Sequence, residues 1–213
     1  MDNSNHTLVD AHLSEYFISE IISLLCTSAT HSLKTSIESR NQHQITPNPK
    51  IINEPNQMDI DEAYRIRMDK IGYRVGYVLA ERLVKDKSRI PKISQSSSPD
   101  PLEVIKFICK DLWSAMYNKQ ADNLRTNHRG VFVLQDYGFR PFLRLSSTIG
   151  YENELDQFCQ KMLIFPLAVI RGALMNLGIQ SVVSAEIAVP QCTFQIRTAI
   201  GPAPVTPSTA AKS

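Results

Sequence analysis

Asp59-Ile60-Asp61-Glu62-Ala63-Tyr64-Arg65-Ile66-Arg67-Met68-Asp69-Lys70-Ile71-Gly72-Tyr73-Arg74-Val75-Gly76-Tyr77-Val78-Leu79-Ala80-Glu81-Arg82-Leu83-Val84-Lys85-Asp86 is the stretch on which the fold turns. Wound at about 100° per residue, it is a helix with two apolar stripes. Met68, Ile71, Val75, Leu79 and Leu83 form one; Ile66, Tyr73, Tyr77, Ala80 and Val84 form the other, on roughly the opposite side. Arg67, Lys70, Arg74, Glu81 and Lys85 fill an arc between them. One stripe can pack on the chain's own core, which leaves the other in need of a partner. Periodicity alone leaves open which stripe faces inward. Gly72 and Gly76 each cost a helix about 1 kcal/mol relative to alanine. They are either tolerated or placed, four residues apart on one face, to admit another helix closely; both readings stand at this point.

Working toward the amino terminus, residues 39–57 are polar and contain Pro47, Pro49 and Pro55, so they read as a loop or insertion. Before them, Leu8 to Ile37 reads as a long first helix, with Leu13, Phe17, Ile21 and Leu24 on one side and Ile18, Ile22, Leu25 and Ala29 on the adjoining one. A helix apolar around most of its girth must be covered on more than one side.

Toward the carboxyl terminus, Lys87 to Pro99 reads as a loop. Asp100, Pro101 and Glu103 then mark the start of a third helix, as cap, first helical residue and acidic first turn. Its inner stripe is Leu102, Ile105, Cys109, Leu112 and Met116, flanked by Ile108 and Trp113. The period then changes. Leu124–Thr126 and Val131–Gln135 flank the turn Asn127-His128-Arg129-Gly130 and read as a hairpin. Asp136 to Tyr151 is irregular. Gln160 to Leu177 reads as a fourth, deeply buried helix closed by Gly178, with Pro166 in its first turn or at a kink. Ser181–Val189 and Gln191–Ala199 alternate in the manner of strands around Pro190. The order α-α-α-β-β-α-β-β predicts an α+β fold, a layer of long helices on a four-stranded antiparallel sheet. Residues 1–200 are expected to form a single domain and 201–213, rich in Pro, Ala, Ser and Thr, a disordered tail.

Composition narrows the function. In 213 residues, 23 basic against 21 acidic side chains give a net charge of +2, too little to indicate nucleic acid as the main partner. The sequence has no Gly-rich phosphate loop, no GxSxG and no HExxH. Cys26, Cys109, Cys159 and Cys192 show no CxxC or metal-like spacing, and the five histidines are isolated from one another and from the cysteines. The expectation is a non-enzyme with no cofactor, no metal and no catalytic residue. Residues 1–12 do not resemble a signal peptide, and no run is judged to reach the roughly 18 apolar residues that span a bilayer, so a cytosolic protein with reduced thiols is expected. Arg82, Lys85, Lys87, Arg89 and Lys92 read as a solvated helix end or as a weak patch for anionic membrane.

Several motifs carry a family resemblance. Gly72-Tyr73-Arg74-Val75-Gly76 and Phe107-Ile108-Cys109-Lys110-Asp111-Leu112-Trp113 resemble the paired helix motifs of the small subunits of TRAPP, a tethering and Rab-activating complex. Lys119 to His128, Gly130 to Asp136, and Ile170 to Ile179 are similar to the signature of the thirty-three-kilodalton type, subunit six in animals. The resemblance covers about residues 8–34 and 62–200. It implies a heterodimer with the acyl-carrying paralogue through the first two helices, with Leu13, Phe17, Ile21, Leu24, Ile66, Tyr73, Tyr77 and Val84 as the expected interface. It also implies a place in a larger assembly that acts indirectly on a Rab GTPase in ER-to-Golgi traffic, with the chain cytosolic and peripheral at cis-Golgi membranes. In the acyl-carrying paralogue a modified cysteine follows the glycine motif by about twenty residues; counting here lands near Ile90, Pro91 and Lys92, so no acylated thiol is expected at that site. Two other readings compete. One is a small-molecule or lipid sensor of related fold; the other is a self-sufficient exchange factor.

Overall fold

The computed structural model describes residues 13–43, 54–87, 100–127, 129–145 and 152–198. The elements are α1 (Leu13–His43), α2 (Gln57–Lys87), α3 (Pro101–Phe107), a π-helical turn (Ile108–Leu112) and α4 (Trp113–Tyr117). Then come β1 (Asn123–Thr126), β2 (Val131–Asp136), a short 3₁₀ turn (Arg140–Phe142), α5 (Glu152–Asn176), β3 (Ser181–Ala188) and β4 (Gln191–Thr198). Because α3, the π turn and α4 run on as one rod, the architecture of the described residues is four helices over one antiparallel sheet of order β1-β2-β4-β3. That is the expected α+β class.

The two glycines of α2 decide how the helical layer is built. The row buried on this helix is Tyr64, Met68, Gly72, Gly76 and Ala80, a strict four-residue repeat that takes one member from each predicted apolar stripe. It lies on α5, the most extensive helix pairing in the fold. A methyl group added at Gly76 would sit 2.0 Å from the Val169 carbonyl oxygen, and one at Gly72 would sit 2.7 Å from that of Phe165. Gly172 of α5 reciprocates, 2.0 Å from the carbonyl oxygen of Tyr73. The backbones therefore touch, which resolves the glycine question toward close approach. Neither stripe faces inward as a unit, so Val75 and Tyr77, one from each, both remain exposed. Polar contacts tie the seam at its margins: Arg171 places one guanidinium nitrogen 2.9 Å from each Asp69 carboxylate oxygen, and Lys161 lies 2.9 Å from Asp61. Tyr64 donates to the Lys161 carbonyl at 2.9 Å. Arg171, the one charge expected within the buried part of the fourth helix, is thus accounted for.

Two helix boundaries differ markedly from the sequence reading. Helix α1 continues to His43, through residues assigned to a loop; the hydroxyls of Thr35, Ser36 and Ser39 bond back to carbonyls four residues earlier, satisfying polar groups within the helix. Helix α5 starts at Glu152 rather than Gln160, because Leu155, Phe158 and Cys159 carry its apolar stripe about two turns further back, among acidic Glu152, Glu154 and Asp156. Pro166 accordingly lies deep inside the helix and not in its first turn. The same extension corrects the membrane expectation: Asn153–Asn176 is long and apolar enough to cross a bilayer, but 56% of its most apolar window is buried inside the fold, where α5 is the central core helix. The tail, the second loop, Arg89 and Lys92 lie outside the described residues.

Beneath the helices the sheet contributes Leu134, Phe132, Cys192, Phe194 and Ile196, which alternate inward along β2 and β4. They meet Trp113, Tyr117, Phe139 and Phe142, whose rings pack edge-on at centroid distances of 4.8–5.1 Å. Asp100 caps α3 by accepting from the Leu102 N–H at 3.0 Å, as its position predicts. The π turn was not foreseen. It lets this rod bury two adjacent columns, Val104, Ile108 and Leu112 beside Ile105, Cys109 and Trp113.

Candidate partner-binding surface

Helix α1 packs by one face and displays another. Ile22 and Ala29 are buried, with Ile18, Leu25 and Cys26 half-covered beside them. Roughly opposite on the helix wheel stand Leu13, Tyr16, Phe17 and Leu24, exposed by 58, 64, 63 and 66%. Four large apolar side chains in one outward row make a patch of the kind that marks an interaction site in a folded protein. Burying such side chains is worth about 1.5–3 kcal/mol each. With roughly two-thirds of that area still wet, the row withholds on the order of 4–8 kcal/mol that a covering partner would release.

The row continues onto α2. Phe17 and Ile18 share a cleft of about 500 Å³ with Val75, Met116, Tyr117 and Phe165. Ile71, Val75 and Val78, all exposed, extend the apolar surface along that flank. Arg67 braces the two helices by donating to the hydroxyls of Ser28 and Ser32 at 3.1 and 3.0 Å. The α1–α2 face is thus fixed internally and, among the described residues, exposed outwardly.

The structure distributes the expected interface residues over more than one surface. Leu13, Phe17, Leu24, Ile66 and Tyr77 are exposed, whereas Ile21 and Val84 lean against the core. Tyr73 is partly covered by Arg171, whose guanidinium carbon sits 5.9 Å from its ring centroid. Tyr73 also belongs to a different cleft, beside β3, so the stripe containing it and the Phe17 row are not brought together. Tyr16, Ile71 and Val78 were missed as surface candidates. Their signal was present: in both helices they fall on the arc opposite or beside the small residues Ala29, Gly72 and Gly76, which mark the packed line. Of the basic run, Arg82 lies 3.7 Å from Asp86 and Lys85 lies 2.7 Å from Glu81, so acidic neighbours offset both, and Lys87 ends α2.

A second polar construction sits in the signature hairpin. Asp136, fully buried, accepts from Trp113 Nε1 at 2.8 Å, from Lys119 Nζ at 2.6 Å and from the Gly138 N–H at 3.1 Å. Lys119 also reaches Asp122 at 3.1 Å, and Asp122 accepts from the Tyr137 N–H at 2.7 Å. Burial, the largest single influence, pulls the Lys119 ammonium down, but its bonds to Asp136 and Asp122 outweigh this and hold it above the usual lysine value. Burial likewise opposes ionisation of Asp122, yet the Tyr137 amide and Lys119 hold its carboxyl below the usual range. Every charge in this cluster is compensated, as a structural brace between helix and sheet requires.

The thiols point the same way. Burial pushes Cys109 and Cys192 up to about 12, and it raises Cys26 and Cys159 as well. Among the described residues no His, Cys, Asp and Glu side chains gather as a metal site would require.

Comparison with known proteins gives this surface a setting. A family model described as "Transport protein particle (TRAPP) component" matches residues 14–199. Trafficking protein particle complex subunit 6b of Danio rerio is 44% identical over 131 residues, spanning 61% of this chain and 76% of that protein. Subunit 6A of Homo sapiens is 42% identical over 130 residues, spanning 61% and 74%. Among solved structures, a trafficking protein particle complex subunit 3 from Naegleria fowleri, covalently bound to palmitic acid, is similar in fold at a TM-score of 0.50 and 12% identity; the alignment covers 81% of this chain and 96% of that one.

Proposed function

Since the chain belongs to the TRAPP component family, with subunit 6 of the animal complexes among its relatives, we propose that it is a non-catalytic, structural subunit of a TRAPP assembly. It pairs with a paralogous small subunit of the acyl-carrying type. The assembly serves Rab nucleotide exchange in vesicle transport between the ER and the Golgi, and the chain acts in the cytosol, peripheral to those membranes.

The observation that carries this reading is the outward row Leu13, Tyr16, Phe17 and Leu24, continued by Ile71, Val75 and Val78. An apolar face of that extent is costly in water and is what a helix-to-helix interface supplies. It supports pairing through the first two helices, with the α1 row and the Val75 flank of α2 as the surface. The test is co-expression with the acyl-carrying paralogue. Phe17→Glu combined with Leu24→Glu is expected to abolish co-purification while the single chain keeps its helical content and Tm, because both side chains are already exposed. Retention of wild-type pairing by this double variant would remove α1 from the interface. The isolated chain should not accelerate nucleotide release from an early-secretory Rab, and measurable release would replace the structural reading with an exchange factor.

The Phe17–Val75–Phe165 cleft favours one alternative, a small-molecule or lipid sensor. Native mass spectrometry of the purified chain distinguishes the two, since a stoichiometric bound amphiphile would favour the sensor.

A further inference from the structure

β3 is a sheet edge with unusually little to guard it. It spans eight residues, Ser181–Ala188, and among the described residues it pairs on one side only, with β4. The opposite edge, β1, has four residues. Natural edge strands are commonly kept from pairing by Lys, Pro, bulges or brevity. β3 is a regular eight-residue strand with no Lys or Pro, and its single charge is Glu186.

At the Ser181 end the edge opens into a cleft of about 490 Å³ between β3, β4 and the helices. Tyr73, Met175 and Val182 supply apolar surface, Val182 being 69% exposed. Arg171 and Arg197 supply two guanidinium groups, and among the described residues no carboxylate lines the cleft. Arg171 is held in place by Asp69, whereas Arg197 contacts only the Gln195 side-chain oxygen, at 3.1 Å, among the described residues. Ser181 also lines the cleft, its own Oγ being buried and without a hydrogen-bond partner.

We infer that this end of β3 receives an extended peptide segment of a partner protein that carries an acidic side chain next to an apolar one. The segment adds to the sheet as a fifth strand, its backbone bonding to the free edge of β3. Its apolar side chain faces Tyr73 and Met175, and the carboxylate of the neighbouring residue, on the opposite face of the added strand, reaches Arg197 beside Val182. The position of Glu186, further along the same strand, sets the direction of the fit: the acidic residue must sit at the Ser181 end, away from it. This surface is separate from the α1–α2 face, so it is compatible with pairing there and does not depend on it.

A random heptapeptide library displayed on phage is selected on the immobilised full chain, then counter-selected on Arg197→Glu. Arg197 is exposed on the outer face of the sheet, so this variant and the milder Arg197→Gln should keep the wild-type Tm. Selected peptides are expected to place Asp or Glu beside Leu, Ile, Val or Phe and to bind Arg197→Glu at least tenfold more weakly, with Arg197→Gln intermediate. N-methylation of alternate amides should abolish binding in one of the two possible patterns. Peptides with no acidic bias, or acidic peptides that bind all three proteins equally, would overturn the charge recognition. Tolerance of both methylation patterns would overturn strand addition.

Discussion

Gly76→Ala measures how tightly the helical layer is locked. The new methyl carbon would lie 2.0 Å from the Val169 carbonyl oxygen and 2.7 Å from its carbonyl carbon and Cα. Ordinary contact begins near 3.4 Å, so α2 and α5 must part by more than 1 Å, and every atom in the way is backbone. Two effects oppose each other. Alanine in a helix interior gains about 1 kcal/mol over glycine. Overpacking costs about 1–3 kcal/mol or more, and a backbone wall that no rotamer change can relieve puts this site at the upper end. Separation also stretches the Arg171–Asp69 and Tyr64–Lys161 bonds that border the seam. The net expectation is a loss of about 2 kcal/mol, which for a chain of this size lowers Tm by roughly 4–8 °C. Gly138→Ala is the matched control: its methyl would meet only Leu143 Cδ2, at 3.8 Å, and should leave Tm nearly unchanged. Thermal denaturation followed by circular dichroism reads both variants. A Gly76→Ala protein as stable as the wild type, or more so, would mean that the helices are not in backbone contact and that the glycines are merely tolerated.

Lys119→Met should cost about 2 kcal/mol in urea denaturation, because it strips the nearest cation from the buried Asp136 carboxylate. Its pH dependence has a fixed sign. The Asp122 carboxyl is held below its ordinary 3.8 in the folded state, so its contribution is present above 3.8 and is lost as pH falls through the folded value. The Lys119 ammonium is held above its ordinary 10.5, so its share is complete below 10.5 and fades as pH rises through the folded value. The difference between variant and wild type should therefore shrink in strong acid and in strong base; a constant difference would show that the brace is not ionic. Brief alkylation with iodoacetamide near neutral pH, followed by mass spectrometry, should label Cys26 ahead of Cys109 and Cys192. The last two are buried, with thiols raised to about 12.

The sequence reading succeeded where one signal acted locally. Asp100-Pro101 marked a helix start by cap chemistry alone, and the alternation through residues 191–199 marked a strand. It fell short where two elements share a decision. The sequence shows two apolar stripes on α2, but the packed line runs between them through Gly72 and Gly76, and glycine adds nothing to a count of apolar residues. The start of α5 was missed because its first turns are mostly polar, and Leu155 and Phe158 gain meaning only once they are seen over the core. The exposed row of α1 was half legible: Leu13, Phe17 and Leu24 were named, and Tyr16 was not. The β3 cleft was not legible, since Tyr73, Arg171, Ser181 and Arg197 come from four elements that only the fold brings together.

The strand order has a consequence for how the chain reaches this state. β4, the last strand, lies between β2 and β3, so β2 keeps an open flank until β4 arrives. Its partner Asp136 waits for Cys192 across roughly fifty residues that include all of α5. Closing a span of that length adds modestly to the entropy cost, which grows only with the logarithm of length, but non-local pairing of this kind slows folding. During that wait Phe132 and Leu134 have β1 along one edge of their strand and no strand along the other. The chain is most vulnerable to aggregation in that interval, and loss of residues 191–198 would trap it there instead of merely trimming an end.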